Sequence, residues 1–283
     1  MNYEKYTGNN VLVEITNQNK DDSYTKIGDK AFLSCKNVSE IKLPDTILEI
    51  GDWAFAHMKE LKRLIVPSKP ISIGRDAFLD CSNLTEIICY PDNSNNEGMP
   101  YLLASCVTIL NAYKLFNPEA ALDVGANEVW CEKYDDELVK FINKPDDSNF
   151  QSYIVGWFDD EGEEEQLRKH IESTRINKLK LCMLRLKYKA YIKDDVFERL
   201  ISYIKKQFED VSYEKNNSSW VYFRDNLSDD IDYIRIVAEN KLLTEELKSE
   251  LITCINKRNG NPEVVAFLLS AGGITNINQL FEL

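Results

Sequence analysis

The sequence predicts an α+β protein: a short solenoid of 23-residue repeats followed by an all-α domain of helical hairpins. Three observations predict it. A segment opening on Ile-Gly recurs at residues 27, 50 and 73. Each copy runs into apolar–polar alternation of period 2, as a strand does. From about residue 99 the apolar spacing changes to the i, i+3, i+4 pattern of helices. The expected division is residues 1–98 for the solenoid with its N-terminal cap and 99–283 for the helical domain. A length of 283 residues also suits about two domains, at about 100–200 residues each.

In chain order, residues 1–26 are expected to cap the solenoid. Val11, Val13 and Ile15 alternate and suit a degenerate capping strand, and Asn17–Ser23 reads as a polar loop. Three segments then align without gaps. Ile27-Gly28-Asp29-Lys30-Ala31-Phe32-Leu33-Ser34-Cys35 leads to Val38, Ile41, Leu43 and Pro44. Ile50-Gly51-Asp52-Trp53-Ala54-Phe55-Ala56-His57-Met58 leads to Leu61, Leu64, Val66 and Pro67. Ile73-Gly74-Arg75-Asp76-Ala77-Phe78-Leu79-Asp80-Cys81 leads to Leu84, Ile87 and Cys89. One such turn cannot bury its apolar face alone, so it stacks on the next. Ile41 and Leu43 should point inward and Glu40 and Lys42 outward, with the following Pro ending the ladder. Gly28, Gly51 and Gly74 are expected to permit a corner after the inward Ile. Phe32, Phe55 and Phe78 should stack as a buried column, each worth roughly 1.5–3 kcal/mol of burial. After Cys89 the register slips by one, and Pro91–Gly98 reads as a boundary loop.

The Ile-Gly-x-x-Ala-Phe…Cys…Leu-x-x-Ile-x-Leu-Pro skeleton, clearest in 27–44 and 73–87, resembles the BspA-like bacterial leucine-rich repeats. The resemblance covers about residues 20–90. It implies a leucine-rich repeat solenoid and the interaction or adhesion roles found in that family.

Several helices are expected beyond the solenoid. Asp135–Asn143 should bury Leu138, Phe141 and Ile142. A second helix carries Leu179, Cys182, Met183, Leu186 and Ala190 on one face. Asp194–Val211 shows the clearest amphipathic pattern, with Val196, Phe197, Leu200, Ile201, Ile204 and Phe208 on one face and two Asp at its positive end. Further helices are expected over 229–242, 244–257 and 262–271. Asn261–Leu269 followed by Gly272-Gly273 resembles the second helix of an ankyrin-type repeat, although the Thr-Pro-Leu-His signature is absent. The stretch from Trp130 through Met183-Leu184-Arg185-Leu186 resembles the helical tail of some intracellular repeat proteins of this class, which brings no catalytic motif to carry over. Tyr188, Tyr191, Trp220, Tyr222 and Phe223 are expected to be core residues.

Net charge is −13, a balance that disfavours nucleic acid and anionic membrane as partners. The longest apolar run, Val264–Leu269, falls far short of the roughly 20 residues of a membrane helix. The first residues have no apolar stretch of signal-peptide length, so a cytoplasmic location is expected. The seven Cys have no spacing of a disulfide framework or zinc site and read as mostly buried thiols. The acidic run Asp159–Glu165 lacks the alternating ligands of a calcium loop and reads as a solvated lead into a helix. His57 and His170 have no second ligand or base at a standard spacing and read as surface residues. No P-loop, dinucleotide-binding Gly-rich loop, G-x-S-x-G or H-E-x-x-H occurs. No catalytic, metal or cofactor residue is therefore assigned.

What remains is a surface. The outward strand positions are Glu40 and Lys42, then Arg63 and Ile65, then Glu86, Ile88 and Tyr90. Apolar and aromatic residues beside Arg are the composition of an interface core. The expected function is a non-catalytic protein–protein interaction module that binds a protein partner through these seven residues. A surface or secreted adhesion protein is the alternative, and an enzyme with its site in the helical half a further one.

Overall fold

Eight short strands, each paired in parallel with its neighbours, build the repeat region of the computed structural model. Residues 1–17, 23–91, 98–122, 127–148, 150, 160–209 and 217–270 are described. One sheet has the order β1 (Asn2–Tyr3), β3 (Lys26–Ile27), β5 (Glu49–Ile50), β7 (Ser72–Ile73). The other has β2 (Leu12–Glu14), β4 (Glu40–Lys42), β6 (Arg63–Pro67), β8 (Glu86–Tyr90). Ile27, Ile50 and Ile73 are register partners, as are Ile41, Leu64 and Ile87, so the 23-residue period of the sequence is the rise from one turn to the next.

The turns number four rather than three. The first has Tyr3 in the place of the inward Ile and pairs Val13 with Ile41. Val13 and Ile15 are buried as expected, but Val11, at the start of the edge strand, is 57% exposed. The loop expected at 17–23 is described only at its two ends, and the boundary loop at 91–98 likewise; residues 18–22 and 92–97 lie outside the described residues.

Phe32, Phe55 and Phe78 form the expected column. Successive ring centroids are 5.4 Å apart, and Tyr3 and Tyr6 continue the stack on Phe32 at 5.6 and 5.1 Å. The glycines serve a different purpose from the one expected. None of Gly28, Gly51 and Gly74 has a left-handed φ; each lies where a Cβ would meet the neighbouring turn's backbone at 2.6–2.9 Å. The left-handed residues of the repeats are Lys30, Trp53 and Asp76, and Ser34, His57 and Asp80, one pair in each turn after the first at the same two repeat positions. Pro67 also departs from expectation: it closes β6 from within, paired with Tyr90, rather than following the strand.

The chain divides into two compact units, Met1–Phe141 with Ala190–Ile192, and Ile142–Lys189 with Lys193–Leu283. In the first, α1 (Met99–Thr108) packs on β8. It buries Met99, Leu102, Leu103, Ala104, Cys106 and Val107. An apolar helix without a polar face suits an element that closes the solenoid core. A 3₁₀ turn (Tyr113–Leu115) and α2 (Pro118–Leu122) follow on α1. Next comes α3 (Asn127–Asn143), a helix longer than the one expected from Asp135. Within this unit the Trp130 indole donates to the Leu115 carbonyl at 2.8 Å, and the Tyr134 and Ser105 hydroxyls meet at 2.7 Å in the core.

Beyond the end of α3, the elements of the second unit's described residues are all helical: α4 (Asp160–Lys187), α5 (Asp194–Glu209), α6 (Ser218–Tyr222) running into a π turn (Phe223–Leu227), α7 (Ile231–Glu239), α8 (Glu245–Lys257) and α9 (Pro262–Ser270). Leu179, Cys182, Met183 and Leu186 of α4 are buried, as are Leu200, Ile204 and Phe208 of α5. Ala190 lies beyond α4 and is exposed, because the helix stops at Lys187. Of the five tail aromatics, Trp220 and Phe223 are core; Tyr191, in a left-handed turn, is 46% exposed. Side-chain caps fix three helix starts. Asn217, Asp230 and Thr244 each accept from backbone N–H groups of the first turn, and the Thr244 cap starts α8 at Glu245. Arg258 closes the π turn by donating to the Arg224 carbonyl at 2.8 Å and to Ser228 Oγ at 2.8 Å. A buried ammonium, Lys178, bonds Asp146 at 2.7 Å, and Arg175 bonds the same carboxyl at 2.9 Å. Burial pulls the Asp146 carboxyl up, but the two cations outweigh it and hold it below the ordinary range. Asp159 and Gly272-Gly273 lie outside the described residues.

Candidate functional site

The outward face of the four-stranded sheet β2-β4-β6-β8 brings the sequence-predicted residues into rows. Register places Leu12, Glu40, Arg63 and Glu86 side by side in one row, and Glu14, Lys42, Ile65 and Ile88 in the next. Tyr90 stands one step further along β8, opposite Pro67. This geometry follows from the period itself. Side chains alternate along each strand, and equal spacing puts the same repeat position of each turn at one height.

The first row is an ion-pair ladder. The Arg63 guanidinium donates to Glu86 at 2.8 Å and to Glu40 at 3.2 Å. Glu86 above all, and Glu40 after it, hold Arg63 still more firmly protonated. Each such pair is exposed and worth about 0–1 kcal/mol, so the ladder fixes side-chain positions more than it stabilises the fold. In the second row Lys42 bonds Glu14 at 2.7 Å and stands 5.9 Å from the Tyr90 ring centroid. The Tyr90 hydroxyl reaches across two turns to donate to the Leu43 carbonyl at 2.6 Å. Burial first, then Asp45 and Glu14, push this phenol up, so it stays a neutral donor at physiological pH. The face therefore has its formal charges answered locally, while Ile65 and Ile88 lie half-exposed as direct register partners.

Other candidates offer less. His57 Nδ1 stands 3.2 Å from Asp80 Oδ2, with Lys59 3.5 Å from the same oxygen; all three side chains are well exposed. His170 is half-buried, its Nε2 3.0 Å from the Ser148 carbonyl. A groove of about 380 Å³ runs along α4 by Leu167, Ile171 and Ser218, but its arginines are held by carboxylates, Arg168 by Glu172 and Arg175 by Asp146. Among the described residues no group of three or more His, Cys, Asp or Glu is arranged to hold a metal ion, and no helix is long and apolar enough to cross a membrane.

All seven cysteines are thiols; Cys35 and Cys254 are half-buried and the other five buried. Burial pushes Cys81 and Cys106 up to about 12, and Cys182 is also raised. Burial also raises the half-buried Cys35, and since the thiolate is the reactive form, a thiol reagent at about pH 8 should modify Cys254 in the folded chain, Cys35 more slowly, and leave Cys81, Cys106 and Cys182 untouched. Peptide mapping of the labelled protein checks this; labelling of Cys81 as fast as Cys254 would contradict the packing of that turn.

No curated protein and no solved structure matches the chain. Residues 7–112 match the family described as BspA type Leucine rich repeat region, in six copies. The matched segment begins in the first turn and runs through α1, so it takes in the helix that packs on β8 as well as the strands. With the 23-residue register, the inward Ile and Leu rows and the Phe column, this makes the N-terminal part of the chain, residues 7–112, a BspA-type leucine-rich repeat region.

Proposed function

We propose that this protein is a non-catalytic interaction module whose repeat strands bind a protein partner through Glu40, Lys42, Arg63, Ile65, Glu86, Ile88 and Tyr90. Leucine-rich repeats commonly mediate protein–protein interactions, and that is the setting of the reading. The observation that carries it is the half-exposed Ile65–Ile88 pair beside Tyr90, framed by charges already answered within the face. A partner that covers this face gains apolar burial at the centre and meets no unanswered charge there. The rim pairs add register and on-rate rather than affinity. The helical region is a further binding surface on this reading, the location is cytoplasmic, and the working unit needs no cofactor.

The double variant Ile65→Glu/Ile88→Glu tests it. Both side chains point out of the sheet, so the fold should persist, with an unchanged circular dichroism spectrum and a small fall in melting temperature from two like charges set in register. Central anchors of an interface cost about 2 kcal/mol or more when lost, roughly 30-fold in affinity. Affinity capture from native cells with mass-spectrometric identification should recover proteins with the wild type that the variant loses. Recovery of the same proteins at equal yield by both would overturn the strand-face reading.

A further inference from the structure

Among the described residues, no further strand pairs with one edge of the longer-stranded sheet. β2 is the first of its four strands, whereas at the far end α1 packs on β8. In a parallel ladder a residue turns its N–H and C=O toward the same neighbour, alternating along the strand. The Val11 carbonyl accepts from Ser39 and Glu40, and the Ile15 N–H donates to the Lys42 carbonyl. Residues 11, 13 and 15 therefore face β4, and Leu12 and Glu14 turn their backbone groups outward. Two large apolar side chains at this edge are exposed, Leu12 at 64% and Val11 at 57%. The segment Asn9–Ile15 has neither Pro nor Lys, two of the usual guards of a sheet edge.

We propose that this edge pairs, antiparallel, with β2 of a second copy of the chain, about a two-fold axis at Val13. In that register Leu12 and Glu14 exchange backbone hydrogen bonds with Glu14 and Leu12 of the second copy, using just the outward-turned groups. Val13 meets its own counterpart, at a Cα separation of about 4.5 Å. Val11, on the core side of the strand with Val13 and Ile15, comes to lie beside Ile15 of the second copy and is covered.

Charge favours a second copy over a strongly charged partner. The edge strand Leu12–Glu14 carries one charge, Glu14, which Lys42 answers at 2.7 Å, so it is near neutral in a chain of net charge −13. Two such edges meet without the like-charge penalty that other surfaces of this acidic chain would bring. Because α1 occupies β8, the edge finds no complementary far end, and association closes at two copies instead of running on as a filament.

The test uses the full chain, by sedimentation equilibrium over a wide concentration range. The wild type should pass from one to two chain masses as concentration rises. Leu12→Pro removes an N–H that the fold itself does not use and is the kind of residue an edge strand tolerates. It should lower the dimer affinity at least tenfold with an unchanged circular dichroism spectrum. Leu12→Cys/Glu14→Cys keeps the idea testable if the proline variant misfolds: both positions are exposed and face each other across the two chains as a hydrogen-bonded pair about 5.5 Å apart, so mild oxidation should form a reducible cross-linked dimer, at a level well above the wild type. A wild type that stays at one chain mass throughout overturns the proposal. So does a dimer that a folded Leu12→Pro chain retains at full strength, or a folded Leu12→Cys/Glu14→Cys chain that does not cross-link. Because β2 contributes none of the seven residues of the proposed partner face, loss of the dimer and loss of partner capture are read separately.

Discussion

Phe55→Ala should lower the stability of the repeat region by about 3–5 kcal/mol, the ordinary cost of truncating a fully buried aromatic ring. Phe55 is 0% exposed and lies between two rings, with centroids 5.4 Å away on either side. Removing it leaves a cavity at the centre of the column and takes away both of its stacked contacts. The turns above and below cannot collapse into the gap, because their spacing is fixed by backbone bonds: Phe32 N–H to the Ala54 carbonyl at 2.7 Å and Phe55 N–H to the Ala77 carbonyl at 2.9 Å. The cavity term therefore stays near its full size. For a unit of this length the melting temperature should fall on the order of 10 °C. Phe55→Leu, which keeps most of the apolar volume and loses only the stacking, should cost less than half as much. Chemical unfolding followed by circular dichroism decides it. A loss under about 1 kcal/mol for Phe55→Ala would mean that the column is not the packing element it is taken to be.

The column was legible in the sequence because its spacing is fixed at 23 residues, and so was the ladder Glu40–Arg63–Glu86, whose members occupy one repeat position in three turns. The first turn was harder to read. Its register to the second turn is 24 residues in one sheet, Asn2 to Lys26, and 28 in the other, Leu12 to Glu40, so extra residues hide the period. Only the Val13–Ile15 alternation marked it. The cap α1 was legible only as the change to helical spacing near residue 99; being apolar on nearly every side, it has no polar face to mark it as the element that closes the solenoid. The reach of Tyr90 to the Leu43 carbonyl spans two turns diagonally, and no pairwise spacing rule contains it. In the helical unit the face Leu179–Cys182–Met183–Leu186 was correct, but nothing in the pattern signalled that α4 would stop before Ala190. The ankyrin-like character of the last hairpin stayed a local likeness of one helix and its flanks.

The glycines mark the point at which a correct residue choice had the wrong reason attached, and a pair of substitutions separates the two reasons. If Gly74 served a left-handed corner, the strain of any replacement would be torsional. Instead, an added Cβ would lie 2.6 Å from Asp52 N and 2.6 Å from the Gly51 carbonyl carbon, both backbone atoms of the preceding turn. Real Cβ contacts do not occur at that distance, so Gly74→Ala must push the two turns apart. That separation stretches the bond from Gly74 N–H to the Ile50 carbonyl, now 2.7 Å, and the one from Arg75 N–H to Asp52 Oδ1, now 2.8 Å. Overpacking of about 1–3 kcal/mol and hydrogen bonds worth about 0.5–1.5 kcal/mol each combine to an expected loss of about 3 kcal/mol. Two residues on, Asp76 holds the left-handed conformation at φ 52° with a side chain that tolerates it. Asp76→Gly relieves that torsional strain and adds unfolded-state entropy, terms of opposite sign, and should leave stability within about 1 kcal/mol of the wild type. Equilibrium unfolding of both variants under one set of conditions reads the contrast directly. A Gly74→Ala chain as stable as the wild type would mean that the turns have slack the backbone distances do not show. An Asp76→Gly chain that loses more than Gly74→Ala would return the argument to torsion. The expected order, a large loss at 74 and a small change at 76, makes close approach between successive turns the reason that this repeat keeps its Ile-Gly pair.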